Sequence, residues 1–291
     1  MKKSAFIITE SILAVVLAGC VAAVSLIAND INSPNIVQEP SVAESSVQQS
    51  SVVKPSQESS QESSEPAQES SEVSQKIQFT EPENLSSQPD DLTKYIENYG
   101  YKYEYMNFDH LIVVDTNDSQ ATVYCYQKSD SGYWWNIMGD KKAMTDQCFI
   151  GENGADFIVT HGSKKTPMGF YQLGEGFYIN NKPDTTYPMF QITDDTYWVD
   201  DPESEFYNQK VEGTDKKDWT SAEHMISATS AYKYGIVIEY NTNSADPEAG
   251  SAIFLDCGTS PTAGCVSLPE DTMKTILEWL DEDSNAFIFI I

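Results

Sequence analysis

The chain contains no arginine: all 17 of its basic residues are lysine, and they stand against 45 acidic residues for a net charge of −28. Without a guanidinium there is no bidentate fork for a carboxylate or phosphate. Recognition of either falls to lysine, backbone N–H groups or helix N-termini. A negative excess on this scale repels a phosphate backbone, which excludes nucleic-acid and anionic-lipid binding. Cysteine is also scarce. The five, Cys20, Cys125, Cys148, Cys257 and Cys265, form no CxxC pair and have no metal-ligand spacing, so no metal site is expected. Cys125 and Cys148 lie in apolar, strand-like surroundings, where they either pair in an oxidising exterior or stay as buried thiols. Histidine is limited to His110, His161 and His224, which leaves few imidazoles for acid–base chemistry.

Aromatic residues are nearly missing from the first third. From Ile31 to about Pro89 the chain is Ser, Gln, Glu, Val and Pro with repeated Glu-Ser-Ser units, and Phe79 is its only aromatic residue. Such a stretch buries too little apolar surface to offset about 1–2 kcal/mol per residue of backbone entropy, so residues 30–90 read as a disordered Ser/Gln/Glu-rich linker. At about 5–6 Å times the square root of its length, it holds the C-terminal residues roughly 40 Å away. A long apolar run occurs once, from Ile12 to Ala28, after the positive Met1-Lys2-Lys3. At about 17 residues it meets the lower limit for a membrane span, and residues 1–29 read as a signal anchor. The alternative is a lipoprotein signal, since Leu17-Ala18-Gly19-Cys20 resembles a bacterial lipobox whose Cys20 becomes the lipidated N-terminus. Either way the chain is tied to the cytoplasmic membrane with the rest on its extracytoplasmic face.

Folding signals occupy residues 91–291. Leu92 to Ile96 suggests a short helix. His110–Asp115 and Gln120–Gln127, joined by Thr116-Asn117-Asp118-Ser119, read as a β-hairpin, because β-branched runs flank turn chemistry. Further strands are expected at Tyr133–Met138, Gly169–Leu173, Tyr187–Ile192, Ile236–Tyr240, Ser251–Leu255 and Ala286–Ile291. A second helix opens at Pro269-Glu270-Asp271, with acids at the positive end of its dipole, and carries Met273, Ile276, Leu277 and Leu280 on one face. This spacing predicts a mainly β fold (α+β), a mostly antiparallel sandwich or barrel with peripheral helices.

For chemistry, the turn Gly258-Thr259-Ser260-Pro261-Thr262-Ala263-Gly264-Cys265 is the clearest candidate. Small residues before a cysteine let backbone N–H groups approach a substrate carbonyl, and the N-terminus of the next helix favours a thiolate. A buried cysteine in a tight turn is the plain alternative.

Several blocks occur in one order: Leu111-Ile112-Val113-Val114-Asp115, Gly151-Glu152-Asn153-Gly154, Lys165-Thr166-Pro167-Met168-Gly169, Tyr234-Gly235-Ile236-Val237-Ile238, Gly250-Ser251-Ala252-Ile253-Phe254-Leu255 and Thr262-Ala263-Gly264-Cys265-Val266. Together, over about residues 105–291, they resemble the YkuD-like L,D-transpeptidase catalytic domain. The resemblance implies a β-rich fold and no metal or organic cofactor. It also implies a cysteine nucleophile that takes an acyl group from a peptidoglycan stem peptide and passes it to a diamino-acid amine or to water. Carried over by position, Cys265 is the nucleophile, and Gly264 with the cysteine's own N–H stabilises the oxyanion. Where the family has its base histidine this chain has Asp256. An aspartate with a pKa of about 4 is a poor acceptor for a thiol near about 8.5, and its charge opposes a thiolate. The resemblance then leaves open an enzyme in which His224 reaches Cys265, with or without Asp256 orienting it, and a pseudoenzyme that binds wall peptides. Candidate substrate contacts are Thr262 and Ala263 in the turn, and Trp198, Asp200, Asp201, Tyr207 and Trp219 in an aromatic and acidic region suited to an amine. Lys165 is the candidate for a stem carboxylate.

Overall fold

The structure is a computed structural model that describes residues 78–291. The expected anchor, Cys20 and most of the expected linker lie outside those residues. In chain order the regular elements are helix α1 (Asp90–Asn98), then strands β1 (His110–Asn117), β2 (Gln120–Lys128), β3 (Trp134–Asn136), β4 (Thr145–Phe149), β5 (Ala155–Asp156), β6 (Thr166–Pro167) and β7 (Gly169–Tyr178). They continue with β8 (Met189–Gln191), β9 (Thr196–Val199), β10 (Lys210–Glu212), β11 (Ala222–His224), β12 (Tyr234–Ile238), β13 (Phe254–Cys257), β14 (Val266–Leu268), helix α2 (Glu270–Trp279) and β15 (Ala286–Ile290). Among the described residues no helix is long and apolar enough to cross a membrane.

The expected hairpin forms: β1 and β2 pair antiparallel from His110↔Gln127 to Asn117↔Gln120, turning at Asp118 with φ +55°. From β1 the sheet runs through β15, β7, β12, β13, β14, β4 and β2, and the β1–β2 pairing closes it into a barrel. Closure leaves no free edge along these eight strands. β3 extends β2 and β8 extends β7. The barrel is mostly antiparallel, with parallel pairs at β1–β15 and β13–β14.

Side chains alternate across each strand, so the barrel strands supply an inner core and, on the other face, outer clusters. Inside lie Ile112, Val114, Val123, Cys125, Cys148, Leu255, Val266 and Ile288, joined by Met273, Ile276 and Leu277 of α2. Outside, Leu111, Val113 and Phe289 bury Leu92 and Ile96, which stand one turn apart on α1. A second outer cluster forms where Phe177, Val237 and Phe254 meet Trp198, Met225 and Tyr232 under the small β10-β9-β11 sheet, and Cys265 packs against it.

Three local expectations change. The strand expected from Ser251 starts only at Phe254, because Gly250 (φ +84°) and Ala252 (φ +55°) break the extended run. Val266–Leu268, where no strand was expected, is a strand, and α2 begins after Pro269. β4, polar at Thr145, Asp146 and Gln147, carries no strand signal of its own; it completes the barrel by pairing with β14 and β2. Cys148 lies opposite Ala121 of β2, and both Cys125 and Cys148 are free, buried thiols.

Candidate active site

Strand parity builds the site. Leu255, Cys257, Val266 and Leu268 all point into the barrel, so the residues between them, Asp256 and Ser267, face outward. Asp256 and Ser267 are register partners, and the Ser267 hydroxyl donates to Asp256 Oδ1. Cys265, two residues before Ser267, falls on the same face.

The turn that carries Cys265 is held from three sides. Thr262 Oγ1 accepts the Gly264 N–H (3.0 Å) and donates to the Cys265 carbonyl (2.7 Å). The Gly264 carbonyl accepts from Thr166 Oγ1 (2.7 Å), which itself accepts the Gly151 N–H (2.8 Å). Thr262 also exchanges backbone bonds with Ile150 and Glu152. Gly264 is required: its φ is +151°, and a Cβ there would sit 2.9 Å from Ile253 Cδ1. The Gly-Glu-Asn-Gly, Lys-Thr-Pro and Thr-Ala-Gly-Cys blocks, far apart in sequence, thus converge on one loop crossing. Of the two N–H groups expected to meet an oxyanion, that of Gly264 is already engaged by Thr262 Oγ1.

The Cys265 thiol donates to the Ala252 carbonyl at 3.5 Å. Ala252 takes its left-handed conformation because its N–H donates to Asn208 Oδ1 at 2.9 Å. Asn208 is itself buried and left-handed (φ +57°). Its Oδ1 also accepts the Trp198 indole N–H (2.9 Å), and its Nδ2 donates to the Tyr240 (3.1 Å) and Asn241 (2.8 Å) carbonyls. Trp198, expected as a substrate contact, is instead buried and part of this scaffold.

Cys265 and Asp256 open on a cavity of about 480 Å³ with Glu223, Tyr232, Ser267 and the 258–264 turn on its walls. Burial pushes the Asp256 carboxyl up to about 8, against the opposing pull of hydrogen bonds from Ser267 and Cys265. Burial, with the charges of Asp256 and Glu223, also pushes the Cys265 thiol well above its usual range. No helix dipole offsets this, because β14 and Pro269 stand between Cys265 and α2. Glu223 is raised by burial, and the Tyr232 hydroxyl donates to its Oε2.

A second chamber of about 250 Å³ adjoins the cavity and shares Glu223, Ser251, Ala252, Ile253 and Ala263 with it. His161, Lys164, Lys165 and Asp200 are on its far walls. Asp200 Oδ1 is buried and has no hydrogen-bond partner among the described residues.

The structure does not bring His224 to Cys265. Its Nε2 bonds the Asp194 carbonyl (2.7 Å), its Nδ1 meets Ser227 Oγ (3.3 Å), and its ring stacks on Tyr197. Glu223, one residue earlier on β11, faces the cavity instead. Asp201 is also placed elsewhere: its carboxylate accepts from Thr220 N–H (2.6 Å), Thr220 Oγ1 (2.8 Å) and Glu203 N–H (3.0 Å), which push it down to about 2. Tyr207 and Trp219 are buried; the Tyr207 hydroxyl donates to the Pro247 carbonyl (3.3 Å), and Trp219 packs on Tyr197 and Phe206. Lys165 lines the second chamber with its Nζ 2.7 Å from Asp156. Asp200, Asp256, Cys265, Ala263 and Thr262 do line one or other chamber. Reading the sequence missed Glu223, Tyr232, Ser267 and Asn208. Parity from Cys265 and Asp256 points to Ser267, but the other three arrive through tertiary packing.

A closed β-barrel that presents a cysteine from a Gly-supported turn, beside a buried acid on the neighbouring strand, defines the class: a mainly β barrel domain with a cysteine-lined cavity. The family model of the L,D-transpeptidase catalytic domain, YkuD, matches residues 109–288, more than half of the 291-residue chain. The chain belongs to this family. No curated protein and no solved structure matches it.

Proposed function

We propose that this domain is a cysteine acyltransferase acting on peptidoglycan stem peptides, with Cys265 as nucleophile and Asp256 as the acceptor of its proton. The observation that carries the reading is the placement of Cys265 and Asp256 in one open cavity, with the carboxyl pushed up to about 8 by burial. An ordinary aspartate near about 4 is a poor acceptor for a thiol proton; burial brings Asp256 up to about 8 and so closer to the Cys265 thiol, which is itself held above the usual value of about 8.5, and the transfer stays uphill by less than it would with an exposed aspartate. Ser267 orients the carboxyl, and the Cys265 N–H meets the oxyanion. Asp200, with a buried oxygen in the adjoining chamber, is the candidate contact for the acceptor amine. In this reading residues 1–29 anchor the chain, residues 30–90 form the tether, and the domain works in the cell-wall space.

The test is intact-mass analysis of the full chain after incubation with disaccharide-tetrapeptide or a carbapenem. An adduct on Cys265, lost in Cys265→Ala and strongly reduced in Asp256→Asn, is expected. A second reading, a binder of wall peptides without turnover, is favoured by one observation: the thiol is held strongly protonated. Muropeptide binding with no adduct would select it. Asp256→His separates a rewired site, which gains nothing, from a decayed one, which gains activity.

A further inference from the structure

We propose that the outer face of β15 and β7 carries a second binding site, for a neutral N-acetylated saccharide strand of the kind to which wall stem peptides are attached. The inference rests on the reading of the domain as one that acts on peptidoglycan, and adds a site for the glycan beside the one for the peptide. Register fixes its floor. Phe287 and Phe289 of β15 stand opposite Gln172 and Phe170 of β7, while Ala286, Ile288 and Ile290 fill the barrel, so these four side chains point outward. The segment from Tyr101 to Phe108 packs on this face at both ends, Tyr101 against Phe170 (ring centroids 4.6 Å apart) and Phe108 against Phe287 (4.4 Å). Between segment and sheet lies a cavity of about 520 Å³.

The lining suits a saccharide. A pyranose ring offers a flat face of C–H bonds, which stacks on an aromatic ring, and an edge of hydroxyl and acetamido groups, which bonds to side-chain amides. Here Tyr101, Tyr105, Phe170 and Phe287 present the rings, and the exposed Asn107, Gln172 and Asn285 present the amides. Asn285 is held by its Nδ2, which donates to the Asn107 carbonyl (2.7 Å), leaving its Oδ1 as an acceptor. Of the lining residues only Lys102 is charged and none is a carboxylate, in a chain with 45 acids, which selects against a cationic peptide. The surface is also unusually apolar for one open to water. Among the described residues the strongly exposed large apolar side chains are Tyr99, Tyr101, Tyr105, Met138, Phe157 and Ile158, and all but Met138 fall along one strip. That strip begins beside the peptide site. Lys165, on the wall of the second chamber, holds Asp156 (2.7 Å), and the next residue, Phe157, is 61% exposed with its ring 6.1 Å from Tyr99. Tyr99 and Tyr101 both stand edge-on to Phe289, at 5.4 and 5.6 Å, and Tyr101 opens on the cavity. A glycan whose stem enters the chambers runs along these rings to the cavity.

Calorimetric titration of the full chain with chitotetraose, an N-acetylated saccharide without a stem, tests the site apart from any acylation. Saturable binding is expected, weakened about threefold to tenfold by Tyr105→Ala, the range for losing one aromatic contact. Tyr105 is 72% exposed, so its removal leaves the packing of the domain intact. Tyr105→Phe, which keeps the ring, should retain most of the affinity, and Met138→Ala, which lies off the strip, all of it. Absence of saturable binding, or equal binding by Tyr105→Ala, would overturn the assignment. Self-association that Tyr105→Ala abolishes, with no saccharide bound, would give the strip to a second copy of the chain and overturn it too. The outcome is independent of the Cys265 adduct: an adduct without saccharide binding refutes this site alone, and Tyr105-dependent saccharide binding without an adduct supports it while refuting the acyltransferase.

Discussion

Replacing Asp256 by Asn isolates the titration on which the site turns. The carboxyl is moved by burial from its ordinary 3.8 to about 8, so the folded chain keeps a proton that the unfolded chain releases near its ordinary value. Between those two values the folded state binds one proton more, and stability must fall as pH rises, by about 1.4 kcal/mol per pH unit. The full window amounts to roughly 6 kcal/mol as an upper limit. That is comparable with the whole stability of a domain, about 5–15 kcal/mol, and so large enough to measure. The Asp256→Asn variant keeps an oxygen for the Ser267 hydroxyl but has no proton to lose. Urea unfolding of the full chain and the variant from about pH 4.5 to 9 gives the difference, in which the other carboxyls largely cancel. The variant's advantage should grow with pH and level off above about 8, where the buried carboxylate has formed in the parent. In the proposed function the same carboxylate is the proton acceptor, so acylation by the parent should rise through pH about 8, well above the histidine range near about 6.5, and the variant should lack that limb. A pH-independent stability difference, or one that shrinks with pH, would refute the reasoning.

Asn208→Ala should destabilise the fold by about 3–5 kcal/mol, because it strands the Trp198 and Ala252 N–H groups and two carbonyls in a buried region. Chemical unfolding measures this, and faster alkylation of Cys265 should accompany it as the Ala252 carbonyl moves off the thiol. Asp201→Ala should lower the melting temperature at neutral pH while leaving the affinity for an amine acceptor unchanged, since its carboxylate is already bonded to the loop. The group's folded pKa is depressed, so its contribution is present above about 4 and lost as pH falls toward 2, and the deficit of the variant should disappear over that window.

What could be read along the chain was local. The β1–β2 hairpin comes from β-branched runs around Asn117-Asp118. α2 comes from Met273, Ile276 and Leu277 on one face, and the importance of the Cys265 turn from its run of small residues. The polar strand β4 could not be read this way, because it is stabilised by its place between β2 and β14 and not by its own composition. The expectation that His224 reaches Cys265 failed for a related reason. Adjacent strand residues point to opposite sides, and only the packing of Tyr197 decides which side faces Cys265.

The order of small residues, glycine and cysteine around Cys265, and the acid at Asp256, are properties of the chain alone, and they single out Cys265 and its unusual neighbour. The tertiary structure decided what those residues are worth. The parallel pairing of β13 with β14 places Asp256 and Ser267 side by side, and burial moves an ordinary carboxyl to about 8. A pKa is a difference in solvation and charge environment between two protonation states, and that environment exists only once distant segments have packed around the group.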